Sequence, residues 1–324
     1  MLENIFISLC KIYAPSREEH DMLSYVEGFL LQHNISFQSD IVWGIHALLP
    51  AKAKNRTNEH KKDILLMAHV DSAETTRASC SSIKYHEDRN AFLYTPTVGL
   101  DDKTGLAVIL HIVYLYATGE LPSLEYNIQI FFSTKEEIGQ QGLLLAPLQN
   151  IVNYKNIRYG ICIDRKTNRH PQGYRHIVNN YCGIPLLETD ACLLLFQQAA
   201  KQLGLPTIYE CSSPYCADAL ELRIQINVEM FFSPQNQAQQ NLYNAYYQIT
   251  EQIRNLAQAG QSIGSFTSGI RATRYDIARK IISQMPNTGV CICNLSMDYE
   301  ENGVFSAKEL RDTVLLIKQF LLQY

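Results

Sequence analysis

Charge of one sign is scarce in this chain: the net charge is −4 over 324 residues, and 19% of residues are charged. There is no long basic run. The nearest approach, residues 51–62, is mixed and polar, which argues against a nucleic-acid partner. No apolar run approaches the roughly 18 to 20 residues of a membrane span; the longest, Leu106–Tyr116, is interrupted by His111. The opening MLENIFISLCKIYAPSREEH lacks a basic stretch followed by a cleavable apolar core, so no secretory signal is expected. Internal repeats are absent too. The cysteine count, nine, is odd and scattered, which fits reduced thiols in a cytoplasmic setting; Cys211 with Cys216 and Cys291 with Cys293 lack the paired spacing of a zinc ribbon.

What is there is ample core, 46% hydrophobic, arranged as strands alternating with helices. Pro15 and a capping box, Ser16 to Glu19, predict a helix to about Asn34. Trp43–Leu49 and Ile64–Ala68 read as two strands of a hairpin with a long charged tip, and Leu106–Ala117 as an apolar helix stopped by Gly119 and Pro122. Ile128–Ser133, Tyr159–Ile163 and Gly289–Leu295 read as further buried strands. A helix capped at Thr189 and Asp190 ends near Leu203, and a second capping box, Ser306 to Glu309, opens the last helix. Between them the segment Gln235–Ala259 keeps Leu242, Ala245, Ile249, Ile253 and Leu256 on one face, which predicts an amphipathic helix packed on the body or on a partner. The alternation predicts an α/β fold, a helix-sheet-helix sandwich around a mostly parallel mixed sheet. One domain, 1–324, is expected, with a helical insertion at about 211–262.

Ligand sites in such folds gather beyond the carboxyl ends of strands, and acidic or histidine groups fall at those ends here. His69 and Asp71 leave the Ile64–Ala68 strand two residues apart, so they point to one side. That lets His69 bind a metal while Asp71 holds the ring in place. Asp101 and Asp102 stand just before a helix; one aspartate, or Thr104, is enough to cap it, and the other is left over for a cation. Glu136 and Glu137 arrive side by side in FFSTKEEIGQQG as a strand leaves the sheet. On an extended backbone neighbours diverge, so one carboxylate can ligate a metal and the other lean over its water, the division of labour that hydrolysis requires. Asp164 ends the Tyr159–Ile163 strand. Singly, each feature has a bland reading as a cap, a surface ion pair or a solvated loop. Together, in this order, they point to a shared divalent cation.

In AHVDSAE, VGLDDKTG, FFSTKEEIGQQG and ICIDR the chain resembles the co-catalytic zinc exopeptidases, a clan that includes peptidase T and glutamyl aminopeptidase-like enzymes. The likeness covers residues 60 to about 170 and is weaker at CNLS and FSAKE. The resemblance implies that His69, Asp101 and Asp164 hold one Zn2+, that Asp101 bridges to a second ion held by Glu137, that Glu136 is the general base, and that the Asp101–Asp102 bond is cis. One departure stands out. Where the family places a last metal-binding histidine before its final helix, this chain has Phe305, with Asp298, Glu300, Glu301, His170 or His176 as substitutes. The second site is thus expected to be weak, empty or filled by Mn2+, Co2+ or Mg2+.

The resulting expectation is a metal-dependent hydrolase of peptide or related amide bonds, aminopeptidase-like, with Glu136 and Asp71 catalytic and His69, Asp101, Glu137 and Asp164 on metal. Its partner is a peptide or small amide, with neither nucleic acid nor membrane, and self-association through the 235–259 helix is the expected oligomer contact. Two alternatives compete: a catalytically silent homologue that uses the fold for binding, and single-metal acyl transfer or cyclisation.

Overall fold

The computed structural model describes residues 1–52, 62–73, 75–166, 176–179, 187–210, 217–261, 268–285, 290–298 and 303–324. Its strands are β1 (Ser36–Asp40), β2 (Gly44–Leu49), β3 (Asp63–His69), β4 (Lys84–His86), β5 (Ala91–Leu93), β6 (Ile128–Ser133), β7 (Ile157–Lys166), β8 (His176–Asn179), β9 (Thr207–Glu210), β10 (Cys291–Asp298) and β11 (Val304–Ser306). Its helices are α1 (Leu2–Cys10), α2 (His20–Gln32), α3 (Arg77–Cys80), α4 (Lys103–Thr118), α5 (Gln141–Leu145), α6 (Leu148–Ile151), α7 (Leu187–Leu203), α8 (Ala217–Ile224), α9 (Gln237–Gln258), α10 (Ser268–Ile282) and α11 (Ala307–Gln323). The main sheet is eight-stranded in the order β1-β2-β6-β3-β7-β10-β8-β9, and β11-β5-β4 form a small second sheet. Pairing is parallel for β6/β3, β3/β7, β7/β10 and β8/β9, and antiparallel elsewhere in the main sheet.

Period-two alternation builds the sandwich. Ile64, Leu66 and Ala68 of β3 enter the core beneath α1, α2, α4, α7 and α11, whereas Leu65 and Met67 enter the core beneath α8, α9 and α10. Every residue of β3 and β6 is buried, as strands covered on both faces must be. Helix α9 turns its apolar stripe to the body: Tyr246, Thr250, Ile253 and Ala257 are buried. Among the described residues no helix is long and apolar enough to cross a membrane.

Three local expectations are corrected. The expected hairpin of β2 and β3 does not exist, because β6 lies between them; β2 pairs with β1, a short exposed edge strand with little apolar signal. The capping box at Ser16 does not start α2, which begins at His20 with no side-chain cap. Ser306 precedes α11 but likewise makes no side-chain cap bond.

Candidate metal centre

Parallel pairing brings three strand ends together. His69 of β3 is in register with Ser133 of β6, and beyond the Met67–Cys162 pair of β3 and β7 the chains run on to His69 and Asp164. The turn before α4 adds Asp101 and Asp102, joined by a cis peptide bond as the resemblance implies. Asp102 is the cap: fully buried, it accepts the Gly105 N–H at 2.9 Å. Gly105 has to be glycine, since a Cβ there would lie 2.3 Å from the Asp102 carboxylate. Asp101 is thereby left to face His69.

His69, 2% exposed, presents its Nε2 to Asp101 Oδ1 at 3.2 Å and to Asp164 Oδ1 at 4.0 Å. Its Nδ1 lies 2.9 Å from the Asp71 backbone carbonyl, which can only accept, so Nδ1 carries a proton. In the neutral ring the Nε2 lone pair then points at carboxylate oxygens that are themselves acceptors. Such a gap holds either a proton or a cation. Burial disfavours the charged imidazole, yet hydrogen bonds to Asp101 and Asp71 and the nearby Glu136 keep the His69 pKa well above its usual range. Ligands about 2.0–2.2 Å from a tetrahedral ion stand roughly 3.3 Å apart, so the 3.2 Å spacing of His69 and Asp101 fits a shared divalent ion. Ligand atoms of His69, Asp101 and Glu137 all lie within 4.8 Å of one another, a group that does not include Asp164, which approaches His69 Nε2 at 4.0 Å.

The carboxylates agree with that fit. Asp164 has a pKa well above its usual range, through desolvation and then repulsion from Asp101. Glu137 is raised by desolvation with Asp101 and Asp71 adding to it, and Glu136 is pushed up to about 7 by desolvation with help from Glu137 and Asp71. A divalent cation relieves this kind of crowding.

Glu136 and Glu137 do not sit on extended backbone, which corrects the sequence expectation. Lys135 is left-handed at φ 57°, and the chain folds into a tight turn in which the Glu136 carbonyl accepts both Gly139 N–H (2.8 Å) and Gln140 N–H (2.9 Å). Gly142 closes it, because a Cβ there would lie 2.2 Å from the Thr134 carbonyl. The two side chains still diverge: Glu137 Oε1 accepts the Ala73 N–H at 3.1 Å, and Glu136 Oε1 accepts Gln140 Nε2 at 2.9 Å.

Asp71, fully buried, anchors the turn as well as the imidazole. Its carboxylate accepts the N–H groups of Glu136 (2.9 Å) and Glu137 (3.1 Å) and the Ser16 hydroxyl (2.6 Å), and lies 3.4 Å from His69 Nδ1. Burial alone would raise its pKa, but His69 and these donors hold it below the usual range. Sequence reasoning missed Ser16 and Glu19 as site residues: Glu19, 1% exposed, accepts the Lys135 N–H at 3.2 Å. Their signal in the sequence was the same Ser-x-x-Glu pattern read as a capping box.

Phe305 lies in the core rather than at a water-accessible site. It is 0% exposed and packs on Phe6 and Phe92, with centroids 5.5 and 6.1 Å away. His170, Glu300, Glu301, Cys211 and Cys216 lie outside the described residues, as do the side chains of His176 and Asp298.

Solved structures share this architecture. The TET aminopeptidase of a Thaumarchaeota archaeon from marine sediment superposes with a TM-score of 0.59 at 8% identity, over 99% of this chain and 96% of that one. An aminopeptidase of the archaeon Desulfurococcus kamchatkensis gives 0.56 at 12% identity, over 99% and 94%. The aminopeptidase PepT of Bacillus cereus gives 0.52 at 15% identity, over 99% and 97%. The chain has the aminopeptidase fold. No family profile matches the sequence, and no curated protein does. The architecture shared with these aminopeptidases spans nearly the whole chain, well beyond residues 60–170.

Proposed function

We propose that the chain is a metal-dependent hydrolase of peptide or related amide bonds, of aminopeptidase type, folded as one domain with a helical insertion at about 211–262. His69, Asp101 and Asp164 would hold one divalent ion, zinc by the mixed nitrogen and oxygen donor set, and Asp101 and Glu137 would offer a second, oxygen-rich and weaker place. A divalent ion held there supplies electrophilic polarisation of a carbonyl and acidifies water. Glu136 takes the proton from the attacking water and returns it to the departing amine, so the carboxylate ends the cycle as it began. Asp71 keeps the Glu136–Glu137 turn and the His69 ring in register for that transfer. The fold shared with aminopeptidases supports a peptide as substrate. A reducing, cytoplasmic setting accords with six free, buried cysteines among the described residues. Self-association through the exposed side of α9, which carries Tyr247 at 47% exposure, belongs to the same proposal.

The observation that carries the reading is the His69 lone pair facing Asp101 at ligand spacing, with the Glu136 carboxylate in the adjoining turn. The test is Glu136→Gln in the zinc-reconstituted chain: amide hydrolysis is lost while metal content stays at the wild-type level. Equal turnover in the variant refutes the mechanism, and a wild-type chain that retains no zinc, manganese or cobalt favours a silent binding protein.

A further inference from the structure

Glu136 is held from behind by hydrogen bonds that begin on a helix outside the strand-end loops. Gln140 is 5% exposed and left-handed at φ 54°. Its Nε2 donates to Glu136 Oε1 at 2.9 Å, and its Oε1 accepts from Arg271 Nη2 on α10. The same Nη2 donates to Tyr275 Oη, one turn further along α10, at 2.7 Å, and the guanidinium carbon lies 5.6 Å from the Tyr275 ring centroid. A guanidinium only donates and a carboxylate only accepts, so the amide between them has a single satisfying orientation, oxygen to Arg271 and NH2 to Glu136. Backbone bonds to Asp71, Gly139 and Gln140 fix the main chain of Glu136 but leave its side-chain torsions free. Among the described residues, the Gln140 amide is the side-chain hydrogen bond that removes that freedom, and Arg271 determines which way the amide faces.

Arg271 differs in this from its neighbour one turn on. Arg274 is 1% exposed and forms a bidentate pair with Glu221 at 2.6 and 2.8 Å, an internal strut between α10 and α8. Arg271 is half-buried and, among the described residues, has no carboxylate within salt-bridge distance, so its guanidinium is oriented by Gln140 and Tyr275.

We propose that Arg271 is a positioning residue: acting through Gln140, it locks the Glu136 carboxylate in the orientation that takes the proton. This rests on Glu136 being the general base. The test is a double-mutant cycle on the full, zinc-reconstituted chain, with Arg271→Met and Gln140→Met singly and together, assayed on aminoacyl p-nitroanilides beside Glu136→Gln. Arg271→Met lowers kcat by about 10- to 100-fold, with KM within about threefold of wild type. The double variant loses no more than the worse single one, because both act through one amide. Arg271→Lys, which keeps a donor, restores part of kcat, a rescue that a purely structural role would not show. A rise in KM with kcat preserved makes Arg271 a substrate contact, and losses that multiply in the double variant make the two residues independent; either result overturns the proposal. Wild-type turnover that Glu136→Gln abolishes keeps the hydrolase reading in place whatever the cycle shows. A wild-type chain without turnover overturns that reading, and this one with it.

Discussion

Asp71 receives the backbone N–H of Glu136 at 2.9 Å, so the residue beside the imidazole also sets the turn that carries the paired glutamates. Its other oxygen takes the Glu137 N–H and the Ser16 hydroxyl. One buried carboxylate thus ties β3, the loop after β6 and the segment before α2 into a single unit. Charge-assisted bonds of this kind are stronger than neutral ones, and an unmet buried donor costs about 1–3 kcal/mol.

Asp71→Asn tests that role. An amide offers one oxygen where the carboxylate offers two, and it brings donors to a place crowded with donors. Zinc affinity, measured by competition with a chelator, should fall by about 10- to 100-fold, with a smaller loss of stability in urea. Unchanged affinity would mean that Asp71 serves the fold alone.

The buried pair of Glu221 and Arg274 sets an acid limit on stability. Burial alone would raise the Glu221 pKa, but Arg274 and Gln225 hold it below the usual glutamate value. A carboxyl whose folded pKa is depressed stabilises the protein above its unfolded pKa, and that contribution is lost as pH falls through the folded value. Glu221→Gln, which strands the Arg274 charge, should cost about 3–5 kcal/mol near pH 7. The gap to wild type should narrow as pH drops below roughly 4, where the wild-type carboxyl is protonated in the unfolded state and then in the folded one. Urea midpoints across that range check it; a gap that does not depend on pH would contradict the assignment.

Phe305 divides a packing role from a metal role. Its ring is enclosed by Phe6 and Phe92, so Phe305→Ala should cost about 3–5 kcal/mol. Zinc bound per folded molecule should stay at the wild-type level. A loss of metal with little loss of stability would place this residue's influence at the metal centre instead.

The parts of the site that were legible in the sequence are those fixed by local pattern and chain direction. His69, Asp164 and the paired glutamates each close or follow a buried strand, and parallel pairing of β6, β3 and β7 carries those ends to one edge, where the turn before α4 adds Asp101. The helix-sheet-helix sandwich follows from the same alternation. What was misread depends on distant partners. Ser16 and Glu19 have the spacing of a helix cap, yet their side chains reach Asp71 and Lys135, contacts spanning 55 and 116 residues. Strands β2 and β3 are successive and both apolar, which looks like a hairpin until β6, far along the chain, inserts between them. The turn at Lys135 has no glycine at its left-handed position, and its glycines, Gly139 and Gly142, come only after the glutamates, so the pair itself reads as extended.

Anomalous diffraction at the zinc absorption edge, from crystals of the zinc-reconstituted chain, tests the central claim most directly. The account predicts a peak within coordination distance of His69 Nε2, Asp101 and Asp164, roughly 2.0–2.2 Å from each donor atom. Zinc absent from that position while His69 Nε2 remains closed against Asp101, or zinc bound only elsewhere, would contradict it.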